Sequence, residues 1–198
     1  MKEGFVSRKG KVYPLSREER EEVHKFINEQ LRKEYIRLSK LPQMALVFFI
    51  GKKNGKKCIV QDYWYLNEWA IKNNYPLSLI SDIMENVGAK KVFTKLDLWW
   101  GYNNVQIKEE NEWKAAFTTT ERSFKLTVMF FGLTNSPAMF QTMMNEVLWD
   151  LINTGKVVSF IDNVIVGTEE EAGHDEIVEE VVKRLVENDL YVKPEKCK

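Results

Sequence analysis

Two aspartates of this 198-residue chain stand where a carboxylate is hard to keep. Asp97 closes the apolar run Lys91-Val92-Phe93-Thr94-Lys95-Leu96 and precedes the turn-forming Gly101. Asp162 lies inside Ser159-Phe160-Ile161-Asp162-Asn163-Val164-Ile165-Val166. An ionised acid among β-branched and aromatic neighbours is costly to desolvate unless it is paired or binds a cation. Asp162-Asn163 also suits a tight hairpin turn, and for these two residues alone a turn tip is the stronger reading. Taken together, two strand-end aspartates set side by side by a sheet would offer hard oxygen ligands to divalent cations. A pair of such ions activates a 3′-hydroxyl, orients a triphosphate and stabilises the departing pyrophosphate. The residues thus reach a candidate magnesium site, without naming a substrate.

Other chemistry-bearing groups are weaker. Lys52, Lys53, Lys56 and Lys57 surround Asn54-Gly55. Asn-Gly is the favoured pair for a two-residue hairpin turn, since both central residues take positive φ. A lysine-rich hairpin suits phosphates, and a solvated turn accounts for it equally well. Glu169-Glu170-Glu171 with His174, Asp175 and Glu176 reads better as a solvated helix start, favoured by the helix dipole, than as a metal cluster. The adjacent Trp99 and Trp100 could stack on bases, but a mutated surface position is the stronger reading. Met129, Met143 and Met144 fit core filling.

Elements must carry these groups into place. Ser16 and Glu19 form a capping box ahead of Val23, Phe26, Ile27 and Leu31 at helical spacing, a helix that Leu41-Pro42 would end. Met44–Ile50 and Lys57–Asp62 read as strands flanking the lysine turn. After Tyr75-Pro76, Ile80, Ile83, Met84 and Val87 mark a short amphipathic helix with Gly88 at its stop. Strands are expected over Lys91–Asp97, Val105–Lys108, Trp113–Thr118 and Phe124–Met129. Ser136-Pro137 opens a helix as N-cap and first residue, running to about Asn153. Two short strands, Val157–Ile161 and Val164–Val166, then a helix over Glu170–Asn188, lead to a strand at Tyr191–Lys193. Mixed helices and hairpin-connected strands indicate an α+β fold with an antiparallel sheet.

Composition sets bounds. A hydrophobic fraction of 44% fills a real core, and the formal net charge of +0 is unlike a dedicated nucleic-acid binder. Cys58 and Cys197 are too few and too far apart for a disulfide framework or structural zinc, which fits a reducing, intracellular setting. No run approaches the roughly 20 apolar residues of a membrane span.

Five ordered blocks carry a resemblance. They are Val60-Gln61-Asp62-Tyr63-Trp64-Tyr65-Leu66-Asn67; Asn74-Tyr75-Pro76-Leu77; Phe93-Thr94-Lys95-Leu96-Asp97-Leu98 leading to Gly101-Tyr102; Phe130-Phe131-Gly132-Leu133-Thr134-Asn135-Ser136-Pro137-Ala138 with Phe140-Gln141; and Phe160-Ile161-Asp162-Asn163. The chain resembles the reverse transcriptase of gypsy-type LTR retrotransposons. That resemblance implies a right-hand polymerase: a helical lead-in over 1–42, fingers over 43–90, and a palm over 91–198 with the fingers re-entered around 108–130, cut off before a thumb. It implies RNA-directed DNA polymerase activity on an RNA or DNA template-primer and dNTPs, with two Mg2+ ions that Mn2+ could replace. It also implies a parent pol polyprotein carrying thumb, ribonuclease H and integrase, and a cytoplasmic site of action with nuclear access. Asp97 and Asp162 would be catalytic, and the Leu98 carbonyl would complete a metal shell. Tyr102 would screen out a ribose 2′-hydroxyl, and Phe131 and Gly132 would floor the nucleotide pocket. Lys52, Lys53, Lys56 and Lys57 would form the closing fingers tip, and Gln141 would support the template.

Departures from the family pattern are equally informative. Asn163 replaces the hairpin's second aspartate, keeping an oxygen but losing a charge. Cys58 and Trp64 stand where the family usually has Arg, and at Cys58 a phosphate-matching fork is lost. Trp99 and Gln106 also replace Arg, and Leu38 and Leu46 replace Pro. Each such change can arise from one C-to-T or G-to-A transition, as expected of a copy decayed by cytosine deamination; transversions at these codons would remove that explanation. A catalytically dead remnant that keeps the fold, at most binding nucleic acid or protein weakly, is the alternative expectation.

Overall fold

The structure is a computed structural model and describes residues 1–8, 13–40, 45–51, 57–76, 83, 85, 88 and 90–198. The expected lysine turn at 52–56 and most of the short helix around Ile80, Met84 and Val87 lie outside the described residues. The chain divides into two compact units, Met1–Lys72 with Val105–Ser136, and Asn73–Asn104 with Pro137–Lys198.

In the first unit, helix α1 (Arg17–Arg32) starts on the expected capping box. The Ser16 hydroxyl accepts from the Glu19 N–H at 3.2 Å, and the Glu19 carboxylate accepts from the Ser16 N–H at 3.0 Å. The helix stops earlier than Leu41-Pro42 suggested. Glu34 turns the chain with φ of 58°, and the Tyr35 N–H closes onto the Gln30 carbonyl. The chain then enters a strand that local pattern hides, β1 (Ile36–Leu38). Strands β2 (Ala45–Gly51) and β3 (Lys57–Asp62) form the expected antiparallel pair. Helix α2 (Trp64–Trp69) follows. With β5 (Phe117–Thr118) and β6 (Ser123–Leu126), the sheet order is β1-β6-β5-β2-β3. It is antiparallel except where β2 runs parallel to β5. Val23, Ile27, Ile36, Phe117, Phe124 and Leu126 anchor the core between α1 and this sheet.

Two expected strands of this unit are mostly something else. Val105–Lys108 contributes a single bridge, Gln106 with Val128. Trp113–Thr118 begins as a 3-10 helix, Glu109–Ala115, that leaves only Phe117–Thr118 as strand. Glu112, on that helical turn, is drawn inward to the Lys125 ammonium at 2.6 Å and is buried.

The second unit is built on an antiparallel sheet in the order β4-β8-β7, from β4 (Val92–Asp97), β7 (Val157–Phe160) and β8 (Asn163–Thr168). Its helices are α3 (Ser136–Val147), α4 (Trp149–Asn153) and α5 (His174–Glu187). The expected single helix to Asn153 is broken at Leu148, which is fully buried and non-helical. Ser136 is the first helical residue rather than a cap, and its hydroxyl donates to the Phe130 carbonyl. Helix α5 begins at His174, so Glu169–Glu171 precede it as exposed chain. The His174 ring is buried between the Thr94 and Thr168 hydroxyls, each 2.9 Å away, which accounts for it as a structural residue.

Candidate active site

The β7–β8 hairpin turns through two residues, Ile161 and Asp162, with Phe160 paired to Asn163 across it. Ile161 takes φ of 53°. A β-branched residue there is strained, because its side chain crowds the backbone in the left-handed region. Gln141 on α3 offsets that strain. Its side-chain carbonyl accepts from the Ile161 N–H at 2.8 Å, and its amide nitrogen donates to the Ser159 carbonyl at 3.0 Å and to Asn145 at 2.8 Å. Gln141 has no exposed surface, so its amide lies wholly beneath the hairpin.

Strand β4 brings Asp97 to the same place. Asp97 is the Cα partner of Asn163, and the next N–H, of Leu98, donates to the Asp162 carbonyl at 2.8 Å. Gly101 permits the approach. A Cβ there would stand 3.2 Å from the Asp162 Cβ and 3.3 Å from the Phe140 ring. Tyr102 packs edge-on against Phe140, with centroids 5.8 Å apart. Burial first, and the Asp162 charge second, push the Tyr102 phenol above its ordinary range.

The free edge of β4 is covered by the chain's last residues. The Trp99 N–H donates to Tyr191, the Lys193 N–H to Asp97 and the Lys198 N–H to Lys95, all through main-chain carbonyls. This seats the Lys193 ammonium 3.3 Å from the Asp97 carboxylate and 5.5 Å over the Trp99 ring. Asp97 is 8% exposed, so the pair is largely shielded. Asn163 donates its amide N–H to the Asp162 carboxylate at 3.0 Å. The donor set is therefore two carboxylates, one at the end of β4 and one in the β7–β8 turn, which suits one small divalent cation. Among the described residues no three acidic, His or Cys side chains converge as a metal cluster.

Of the site residues expected from the sequence, Asp97, Leu98, Tyr102, Gln141, Asp162 and Asn163 come together in this unit. Lys57, Cys58, Phe131 and Gly132 belong to the other unit, where the Lys57 ammonium pairs with Glu19 at 2.7 Å and Gly132 takes φ of 98°. Lys52, Lys53 and Lys56 lie outside the described residues. Lys193 was not anticipated as a site residue, although the Lys193–Lys198 tail also matches the family pattern in order and spacing.

The family model described as reverse transcriptase (RNA-dependent DNA polymerase) matches residues 50–198. The chain belongs to the reverse transcriptase family. It is 32% identical over 185 residues to the transposon Tf2-7 polyprotein of Schizosaccharomyces pombe, covering 93% of this chain and 14% of the polyprotein. The Tf2-3 polyprotein of the same yeast is 31% identical over the same length. This reverse transcriptase domain is thus related to the pol polyproteins of gypsy-type LTR retrotransposons, spanning a small part of their length. Among solved structures, the foamy viral protease-reverse transcriptase in complex with RNA/DNA hybrid superposes with a TM-score of 0.88 at 21% identity, over 98% of this chain and 26% of that one. The same viral protein's dRH form with double-stranded DNA gives 0.87 at 22%, over 98% and 34%. The fold is that of the fingers and palm.

Proposed function

We propose that this reverse transcriptase domain performs RNA-directed DNA synthesis with Asp97 and Asp162 as its catalytic carboxylates, and that Asn163 makes it slow. The observation that carries this reading is the β4–β8 register, with Asp97 opposite Asn163 and the Leu98 N–H bonded to the Asp162 carbonyl. Asp97, Asp162 and the Leu98 carbonyl would hold magnesium, or manganese in its place, which would supply Lewis-acid activation of a primer 3′-hydroxyl and charge neutralisation at the triphosphate. The chain's own residues hold and aim those donors. Gln141 fixes the hairpin that carries Asp162, and Gly101 lets it approach β4. Tyr102 offers a half-buried ring beside Asp162, suited to rejecting a ribose 2′-hydroxyl by contact. On the family pattern, Phe131 and Gly132 would serve nucleotide binding, Lys57 with Lys52, Lys53 and Lys56 would serve phosphate contact, and Cys58 forgoes the fork an Arg would give. Template-primer and dNTPs are the substrates. Thumb, ribonuclease H and integrase are the partners within a pol polyprotein, acting in the cytoplasm with nuclear access.

Asn163 sets the rate. It removes one negative charge and turns an N–H toward Asp162, so a second ion is held poorly. The amide and the Lys193 pair also favour a second reading, a remnant that keeps the fold without turnover. Primer extension on homopolymeric RNA with magnesium or manganese separates the two. Asn163→Asp should raise extension by on the order of a hundredfold, as for one restored transition-state charge contact. Asp97→Ala should abolish it. Silence that Asn163→Asp does not rescue leaves the remnant reading.

A further inference from the structure

We propose that Lys193 is a built-in cation of this site, standing in for one metal ion at Asp97 and leaving room for a single exogenous divalent ion. The inference rests on the carboxylate reading above and extends it to a residue of the terminal strap. Three observations carry it. The Lys193 ammonium lies 3.3 Å from the Asp97 carboxylate, and the two side chains are only 18% and 12% exposed, so the attraction is poorly screened by water. The backbone fixes the pairing, because the Lys193 N–H donates to the Asp97 carbonyl at 2.7 Å and the Leu98–Val192 bridge lies beside it. The Trp99 ring takes the other face of the ammonium at 5.5 Å, a cation–π contact that holds it over the strand end.

Charge counting gives the consequence. Asp97 and Asp162 carry two negative charges, Asn163 none, and Lys193 one positive. The cluster keeps a net charge of about −1, enough to retain one divalent ion but not two. Trp99 thereby gains a role that its reading as a decayed surface position lacked.

Mn2+ binding to the 198-residue chain tests this, read as loss of the free-ion paramagnetic resonance signal. Wild-type protein should bind one ion weakly. Lys193→Met should bind about tenfold tighter, since a unit charge beside the ion is removed. Trp99→Leu, which frees the ammonium to swing away, should tighten binding by roughly threefold. Lys196→Met makes the same charge change on the exposed strap and should leave the affinity unchanged. Asp97→Asn should weaken binding and erase the effect of Lys193→Met. Circular dichroism of each variant separates unfolding from altered affinity. Equal Mn2+ affinity in folded wild-type, Lys193→Met and Trp99→Leu proteins overturns the role of Lys193 and leaves the carboxylate reading standing. No binding by any variant, Asn163→Asp included, overturns both.

Discussion

Gln141 shows how one side chain determines whether two carboxylates meet. Its amide is enclosed and satisfies the hairpin on both sides, at Ser159 and at the N–H of Ile161. Replacing it by Leu leaves those buried groups without partners, and each such loss costs about 1–3 kcal/mol. Gln141→Leu should lower the unfolding free energy by about 2–4 kcal/mol in urea titration. The same variant should weaken Mn2+ binding, because Asp162 then rides on a loose turn. A Gln141→Leu protein as stable as wild type would show that the hairpin holds itself. The family resemblance marked Gln141 but not its hold on the hairpin, because a helical side chain that bonds backbone 18 and 20 residues further along the chain leaves no local spacing signal.

At the scale of elements, the β7–β8 turn is the strained piece. A left-handed β-branched residue costs about 1–3 kcal/mol. Glycine removes that strain but loses roughly 0.5–1 kcal/mol through extra unfolded-state freedom. Relief of strain outweighs that loss, so Ile161→Gly should stabilise the fold by about 1 kcal/mol, a small rise in melting temperature by calorimetry. An unchanged or lower melting temperature would show that the Gln141 bond already relaxes the turn. Elements with strong local codes were legible in the sequence: the Ser16–Glu19 capping box, the β2–β3 pair and the strand ending at Asp97. Others were not. β1 is three residues long and exists because Leu126 pairs with Ile36. The 3-10 helix at Glu109–Ala115 is selected by the Glu112–Lys125 ion pair, which joins residues that no short window compares. The break at Leu148 likewise answers to burial, not to propensity.

For the molecule as a whole, alkaline stability tracks Tyr63. It is 2% exposed, its hydroxyl donates to the Ala115 carbonyl at 3.0 Å, and burial pushes its phenol far above the ordinary range. Between the unfolded and folded values the native state keeps a proton that the unfolded state has lost. Stability is therefore full below about pH 10 and falls as pH rises beyond it. Tyr63→Phe should cost about 1 kcal/mol at neutral pH and flatten that alkaline decline, measured by urea midpoints from pH 8 to about 11. An equally steep decline in the variant would assign it to other groups. The backbone passes from one unit to the other after Lys72, after Asn104 and after Ser136. An interruption anywhere in the stretch between the first and last of these passages leaves each half-chain holding incomplete portions of both units. Fragments split there should regain a fold only when mixed, and recombination between related elements could exchange one unit intact only through several coordinated junctions.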